Sequence, residues 1–319
     1  MDRLTSYRKL NKSFKKKLVF NLGSEGGFYS EFNNMVFAIL YCLKYEYQFV
    51  LYSKDANFKT NKGWLDYFEP FCDSTESIFH HYYNKRTNKP SYRWQKNSIL
   101  KLYKLINPNK YLTYELWGKI YNADFEKELF DIPELAVKGN LRESSRIIVD
   151  MIYKFNSNAL TEINETIQKI RLPKTYASVN IRKGDKNTEW GFIELDNFIV
   201  ELKNRTREQN LFVFTDDYSM IIELKKKYPQ FNYFFLVEQD EFGYIHSDFI
   251  NLDNQKRKSK IIKLFSTIEI VCNSSLCIGT YTTNPGLFLG MRMKEKDFIS
   301  IQKSSWYQFE VDDVTAYKV

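Results

Sequence analysis

The sequence has few of the residues from which metal centres and disulfide frameworks are built. It contains four cysteines and three histidines in 319 residues. The cysteines are scattered in apolar surroundings, and the two closest, Cys272 and Cys277, do not have the spacing of a zinc site. We therefore expect reduced thiols in a hydrophobic core, and neither a metal site nor a disulfide framework.

Long apolar runs and common catalytic motifs are also missing. The longest run, residues 35–43, is about half of the roughly 20 residues that cross a bilayer, so it predicts a buried helix face. The basic first 17 residues are not followed by an apolar segment of signal-peptide length. Because the sequence lacks a serine nucleophile elbow, a Walker lysine loop and dinucleotide-binding glycine spacing, the usual signals of hydrolases, kinases and dehydrogenases are absent. The lack of long apolar runs predicts a cytoplasmic protein without a transmembrane segment, or one expressed without its anchor.

The bulk composition is that of a globular protein with more than one core. Hydrophobic residues make up 43% of the chain, aromatic residues 17% and charged residues 27%. A chain of 319 residues usually forms two domains. The net charge is +8, but the basic residues are spread among 39 acidic ones. This distribution favours attraction of a small phosphorylated ligand over nucleic-acid binding.

The first half begins with a strand, a glycine-containing loop, a helix and a strand, which is a βαβ unit. The strands are predicted at residues 17–22 and 48–52, and the helix at 30–45. Residues 57–110 are aromatic-rich and irregular, and helical patterns return near 124–130 and over 142–170. Because Pro173 interrupts the pattern, we place the boundary between the two domains at 172/173.

The second half alternates between strands and helices. Strands are predicted at residues 176–181, 211–214, 233–237, 276–279 and 298–301, and helices at 194–204, 218–228 and 259–271, with a short helix after Asn284. This alternation predicts a parallel sheet covered on both faces. Such sheets bind their ligands at the carboxyl ends of the strands.

Three of these strand ends carry polar clusters, at residues 182–189, 215–217 and 279–286. If the sheet is parallel, all three clusters lie at one crevice. Thr283 or Asn284 can cap the helix that Pro285 opens, and the start of that helix favours a phosphate. The alternative is an ordinary capped helix.

Charged side chains in these clusters can neutralise a diphosphate. Arg182 is suited to two-point contact with phosphate oxygens, or alternatively to an ion pair with Asp185 or Asp217. Asp216 and Asp217 can bind a divalent cation, but their place between a strand and a helix favours a capping role.

A carboxylate of the first cluster can act as a base. Glu189 can take a proton from an acceptor hydroxyl, or be a solvated loop acid. The three histidines, at positions 80, 81 and 246, lie outside these clusters and are assigned no catalytic role.

Three blocks of the second half resemble the nucleotide-sugar domain of GDP-fucose-dependent fucosyltransferases, and occur in that family's order. The resemblance is closest to the core α1,6-fucosyltransferases and the Nod-factor fucosyltransferases. The blocks are residues 179–186 with Glu189, residues 212–219 and residues 278–284. In the first half, residues 27–34 lie where the family has a glycine-led loop that opens the first helix.

The resemblance implies an α/β fold of the GT-B type, with two Rossmann-like domains facing a central cleft. Residues 1–172 would form the acceptor-side domain and residues 173–319 the nucleotide-sugar-binding domain. The implied reaction transfers fucose from GDP-fucose to a glycan hydroxyl, with inversion, without a metal ion and without a cofactor. The implied partners are therefore a GDP-sugar donor and a glycan acceptor, and not a nucleic acid.

The resemblance also implies roles for individual residues. Arg182 would bind the β-phosphate and stabilise the departing GDP, Glu189 would be the general base, and Lys186 would belong to its relay. The donor-binding residues would be Arg182, Lys183, Asp185, Asp216, Asp217, Thr282, Thr283, Gly27, Phe28 and Glu269.

Four positions depart from the family pattern. Lys183 stands in place of the family's second arginine, and Glu189 comes one residue early. Asn180 stands where the family has a histidine, and the place of the guanine-reading aspartate falls near Thr267. Glu269 is the nearest acidic residue and is expected to accept a hydrogen bond from the edge of the guanine base. The alternatives are an α1,2 linkage, another GDP-sugar, or a non-catalytic nucleotide- or carbohydrate-binding protein with the same fold.

Overall fold

The computed structural model describes residues 2–23, 26–86, 94–183, 193–301 and 306 of the chain. The chain divides into two compact units, the first containing Met1–Asn156 and the second formed by Ser157–Tyr307. This division falls before the sequence-based boundary at 172/173. Helix α8 (Ser157–Gln168) therefore belongs to the second unit, because it packs against a long helix there, and Lys258 of that helix pairs with Glu162 at 2.6 Å.

The first unit is formed by the following elements in chain order. Its helices are α1 (Arg3–Ser13), α2 (Phe28–Lys44), α3 (Phe79–Tyr83), α4 (Trp94–Ile106), α5 (Thr113–Ile120), α6 (Ala123–Glu126) and α7 (Leu141–Ile152), with 3-10 turns at Gly63–Asp66 and Pro133–Leu135. Its strands are β1 (Lys16–Asn21), β2 (Tyr47–Tyr52), β3 (Lys110–Leu112), β4 (Phe130–Ile132) and β5 (Val137–Gly139).

The core of the first unit is a small parallel sheet covered by the buried helix α2. The first sheet has the order β2-β1-β3, with Val19 opposite Val50 and Leu112. Strands β4 and β5 form a separate antiparallel pair. Residues 35–43 of α2 are all buried, so the apolar run is a buried helix segment, as the sequence predicts. The predicted βαβ unit is confirmed.

The second unit is a doubly covered parallel sheet. Its remaining helices are α9 (Leu195–Arg205), α10 (Tyr218–Lys227), α11 (His246–Ile250), α12 (Asn254–Cys272) and α13 (Asn284–Arg292), and its strands are β6 (Ala177–Ile181), β7 (Asn210–Thr215), β8 (Asn232–Phe235), β9 (Cys277–Gly279) and β10 (Phe298–Ser300). The second sheet has the order β10-β9-β6-β7-β8, and every pair of neighbours is parallel.

The alternation of side chains along β6 determines what each face of the second sheet buries. Val179 and Ile181 lie in a hydrophobic cluster that includes residues of α9 and α10. Ser178, Asn180 and Arg182 alternate with them, and the Ser178 hydroxyl hydrogen-bonds that of Ser274, just after α12. The predicted parallel sheet is therefore confirmed, and its central strand ends at Ile181, directly before Arg182.

The structure differs from the sequence-based prediction mainly in the first half. Helices α1, α3, α4, α5 and α11 were not predicted. The helix expected near 124–130 is only the short α6, followed by strand β4, and the helix expected over 142–170 is two helices, α7 and α8. Residues 153–156 separate them, where Asn156 donates to the Leu65 carbonyl. Among the described residues, no helix is long and apolar enough to cross a membrane.

Candidate functional site

The candidate site lies at the carboxyl edge of the second sheet, which we define as the ends of β9, β6 and β7 and the residues directly after them. Strand β6 is paired with β7 on one side and with β9 on the other, and all three run in the same direction. Neighbouring strands lie about 5 Å apart. The polar clusters after these strands, which the sequence predicts to converge, are therefore brought to one edge.

Arg182 is the first residue after β6 and is held at this edge by two segments. Its Nε lies 3.3 Å from Oδ2 of Asp216, which follows β7. Its guanidinium carbon lies 5.5 Å from the ring centre of Tyr244, within the range of a cation–π contact. The Arg182 side chain is 14% exposed, so it is largely fixed while still reaching the surface.

Asp216 organises the backbone around Arg182. Its Oδ1 accepts from the Lys183 amide at 3.0 Å, and its Oδ2 accepts from the Tyr244 amide at 3.1 Å. Its backbone carbonyl accepts from the Gly243 amide at 2.8 Å. One side chain thus joins the ends of β6 and β7 to the loop at 243–244.

Asp217 has the capping role that its position after a strand indicates. Its side chain accepts from the Ser219 amide at 2.8 Å and forms the N-cap of α10. Lys183 Nζ lies 3.6 Å from the Asp217 carboxylate and 3.4 Å from the Ser219 hydroxyl. The predicted capping interpretation of Asp217 is therefore confirmed, and Arg182 pairs with Asp216 rather than with Asp217.

The loop after β9 ends in a capped helix. The Thr283 hydroxyl accepts from the Gly286 amide at 3.1 Å and forms the N-cap of α13, with Pro285 in the first turn. Thr282 and Thr280 share a hydrogen bond between their hydroxyls at 3.0 Å. A Cβ at Gly286 would lie 1.8 Å from the Thr280 carbonyl oxygen, so this turn is built on close backbone contact. The predicted cap of this helix is confirmed at Thr283.

Asn180 carries a buried side-chain amide and lies on β6, two residues before Arg182. It is fully buried on β6, and neither its Oδ1 nor its Nδ2 has a hydrogen-bond partner within the described parts of the chain. Buried polar groups without partners are rare in native proteins and cost free energy. Its position is the one where the resembling family has a histidine.

Of the remaining predicted site residues, three are not described and two belong to the first unit. Asp185, Lys186 and Glu189 fall outside the described residues. Gly27 and Phe28 belong to the first unit, where Gly27 is the N-cap of α2 and Phe28 is buried in an aromatic cluster. The cluster around Phe28 consists of Tyr29, Phe32, Phe58 and Phe68.

Glu269 does not lie at the carboxyl edge. It is in the last turn of α12, which leads into the start of β9, and both of its oxygens accept from Arg292 at the end of α13. Helices that connect parallel strands end at the amino edge of the sheet, so Glu269 is at the opposite edge from Arg182. We therefore do not include Glu269 in the candidate site.

The cysteines are core side chains. All four are free. Cys42 and Cys277 are buried, and Cys72 and Cys272 are partly buried. Burial raises the pKa of the Cys272 and Cys277 thiols to about 12, so they are protonated and poor nucleophiles at neutral pH. Within the described ranges, no group of histidine, cysteine and acidic side chains is arranged to hold a metal ion.

The fold is similar to that of NodZ α-1,6-fucosyltransferase. The structure of that enzyme soaked with GDP-fucose has a TM-score of 0.53 and 13% identity, over 88% of this chain and 93% of that chain. A co-crystal structure with GDP has a TM-score of 0.51 and 11% identity, over 85% and 90%. No protein-family model matches the sequence, and no curated protein matches it.

The chain therefore has the α/β fold found in a GDP-fucose-dependent fucosyltransferase. The resemblance predicted from the three sequence blocks is confirmed at the level of the fold.

Tyr244 is the residue of the site that sequence reasoning missed. It lies between β8 and α11, outside the strand-end clusters, and no motif marks it.

Proposed function

We propose that this protein transfers fucose from GDP-fucose to a hydroxyl of a glycan acceptor, with inversion and without a metal ion. One observation carries the proposal. Arg182 and the start of α13 follow neighbouring parallel strands, β6 and β9, and so lie at the same edge of a sheet. The fold in which they lie is similar to that of a fucosyltransferase soaked with GDP-fucose.

The chemistry of the leaving group matches these two elements. Negative charge develops on the diphosphate when the bond between fucose and GDP breaks. The planar guanidinium of Arg182 and the positive end of the α13 helix dipole are both suited to phosphate oxygens. Because contacts with Asp216 and Tyr244 hold Arg182 in place, it can stabilise this charge without rearranging.

The acceptor and the remaining residues complete the proposal. In the GT-B arrangement, the second unit binds the donor and the first unit is on the acceptor side. Attack on the face of fucose opposite to GDP gives inversion. Glu189 remains the sequence-based prediction for the base, with Lys186 in its relay, and Asp185 and Thr282 remain predicted donor contacts.

The contacts of the paired aspartates support a metal-free reaction. Asp216 accepts from two backbone amides and pairs with Arg182, and Asp217 caps α10. These interactions use the carboxylate oxygens that a divalent cation would need. Activity should therefore be retained in EDTA. Loss of activity would show that a metal ion is required and would favour the aspartates as its ligands.

Arg182→Ala tests the proposal directly. We expect the release of GDP from GDP-fucose to fall by about 100-fold or more, because a preorganised charge contact to the leaving group is lost. GDP should also raise the melting temperature of this variant less than that of the wild type. The measurements are GDP release, with GDP-mannose as the comparison donor, and thermal unfolding with and without GDP.

Arg205→Ala is the matched control. Arg205 lies at the end of α9, is 46% exposed and pairs with Glu201 on the same helix. Its removal should leave unchanged both the rate of GDP release and the rise in melting temperature that GDP causes. If Arg182→Ala turned over GDP-fucose at the wild-type rate, Arg182 would have no part in the reaction. Binding of GDP without any turnover by the wild type would favour a non-catalytic nucleotide-binding protein.

A further inference from the structure

The outer face of α4 is apolar although it is exposed to solvent. The large hydrophobic side chains that α4 exposes are Ile99, Leu102, Leu105 and Ile106, of which Leu105 is 80% exposed. At about 100° per residue, these four positions cover about 120° of the helix circumference, and we call them the α4 stripe. Surface helices normally turn such a stripe towards the core. A helix that turns it outwards has a surface suited to an apolar partner.

The inner face of α4 is anchored to the first unit by aromatic and charged contacts. The ring of Tyr103 stacks on that of Phe79 in α3, with 4.2 Å between the ring centres. Nζ of Lys104 lies 3.6 Å from the ring centre of Tyr111 on β3 and 3.2 Å from the Glu115 carboxylate. These contacts lie on the side of α4 away from the stripe, so they fix its outward direction.

Exposed lysines surround one end of the α4 stripe. Strand β1 and its parallel neighbour β3 both begin at the amino edge of the first sheet. The Lys17 amide donates to the Asn109 carbonyl at 2.8 Å, which brings the start of β1 beside the turn between α4 and β3. The exposed lysines of this region that have no carboxylate partner within the described ranges are Lys15, Lys16, Lys101 and Lys110.

The combination of apolar and basic side chains identifies the partner. Lys101 lies one helical turn before Leu105, so positive charge borders the stripe itself. A second copy of the chain, packed symmetrically, would bring the same lysines of both copies together, which opposes association. A helix that binds a protein usually lies in an apolar groove, whereas α4 offers a convex surface. Apolar residues on one side of a helix with lysines beside them are typical of helices that lie in the interface of an anionic bilayer.

We infer that the α4 stripe and the lysines around it form a docking surface for an anionic lipid bilayer. The inference does not depend on the proposed function. In the docked state, the leucine and isoleucine side chains enter the boundary between headgroups and acyl chains, and the lysines contact anionic headgroups. The strength of binding depends on both the buried apolar area and the attraction to anionic lipids. The carboxyl edge of the first sheet lies at the opposite ends of β1 and β3 and is not part of this surface.

Co-sedimentation of the full chain with lipid vesicles tests the inference. The vesicles contain phosphatidylcholine alone, or phosphatidylcholine with about 30% phosphatidylserine. We expect the protein to sediment with the anionic vesicles and to remain in solution with the neutral ones. Raising NaCl from about 100 mM to about 500 mM should lower the partition coefficient by about tenfold or more, because salt screens the charge of the lysines.

Two double variants separate the apolar and the charged contributions. Leu102→Ser with Leu105→Ser shortens the stripe, and Lys15→Gln with Lys110→Gln removes two positive charges. Each pair should lower the partition coefficient for anionic vesicles by about tenfold or more. All four side chains are exposed, so the melting temperatures should stay near that of the wild type, which thermal unfolding checks.

The matched controls are exposed residues of the second unit. Val200→Ser with Ile222→Ser removes apolar side chains of residues that are 55% and 57% exposed, on α9 and α10. Lys174→Gln with Lys226→Gln removes two exposed positive charges. Both pairs should leave the binding of anionic vesicles unchanged.

Four results would overturn the inference. The first is equal sedimentation with neutral and anionic vesicles, and the second is none with either. The third is undiminished binding by the folded leucine variant, because charge alone would then explain attachment. The fourth is a wild type that binds no vesicles but forms a dimer that the leucine variant dissociates, which would make the α4 stripe an interface between two copies.

Discussion

Asp216 shows how a single residue can arrange a site whose members are far apart in sequence. It joins Arg182, the Lys183 amide and the Tyr244 amide. The strand-end clusters containing Arg182 and Asp216 were visible in the sequence, because polar residues directly follow apolar strands. The contribution of Tyr244 could not be predicted from the sequence, since its contacts depend on how the loop after β8 folds back onto the end of β7.

Alanine substitutions at Gly286 and Gly118 should change the free energy of unfolding in opposite directions. Gly286→Ala should lower the free energy of unfolding by about 1–3 kcal/mol, because the new Cβ would meet a carbonyl oxygen at 1.8 Å. Gly118→Ala in α5 should raise it by about 0.5–1 kcal/mol, because no atom lies within 4 Å of the new Cβ and alanine favours helix. Urea unfolding of both variants measures the difference. If the two substitutions changed the free energy of unfolding equally, the close contact at Gly286 would be contradicted.

At the scale of elements, the strands of the second half were predictable because the three central ones, β9, β6 and β7, are largely buried and helices lie between them. The predicted strands differ from β6–β10 by at most two residues at an end. Elements of the first half were harder to predict. Helix α1 is strongly polar, and only Tyr7 and Asn11 of its residues are buried, so it lacks a clear apolar stripe. The break between α7 and α8 depends on the contact of Asn156 with Leu65, which is distant in sequence.

The cap of α13 should affect both stability and ligand binding. Thr283→Ala removes the hydroxyl that accepts from the Gly286 amide, which should cost about 1 kcal/mol of stability. It should also weaken GDP binding, because the Thr283 hydroxyl is a proposed phosphate contact and fixes the start of α13. Calorimetric titration with GDP, together with thermal unfolding, measures the two effects.

Asp253→Ala is the control for a cap without a ligand role. Asp253 caps the exposed start of α12 by accepting from the Lys256 amide at 2.8 Å. Its loss should lower stability and leave GDP affinity unchanged. Thr283→Ser should retain both properties, because the hydroxyl is kept. Weakened GDP binding in Asp253→Ala would mean that the effect of Thr283→Ala is a general consequence of lower stability.

At the scale of the whole molecule, the net charge favours an anionic ligand. It is +8, and the candidate site presents the cations Arg182 and Lys183, which pair there with Asp216 and Asp217. Opposite charge between a protein and a small ligand raises the rate of association, and salt reduces this attraction. The sequence predicted a phosphorylated ligand from this charge, but only the fold shows that cations and a helix start lie at one edge.

Salt should therefore weaken the binding of GDP. Raising NaCl from about 50 mM to about 500 mM should increase the Kd for GDP by roughly tenfold, because the Debye length falls from more than 10 Å to about 4 Å. Guanosine, which has the base but no phosphate, should bind with a Kd that changes little. Arg182→Ala should show a smaller salt dependence for GDP than the wild type. If GDP and guanosine responded equally to salt, the diphosphate would not be the group that the cations of the carboxyl edge bind.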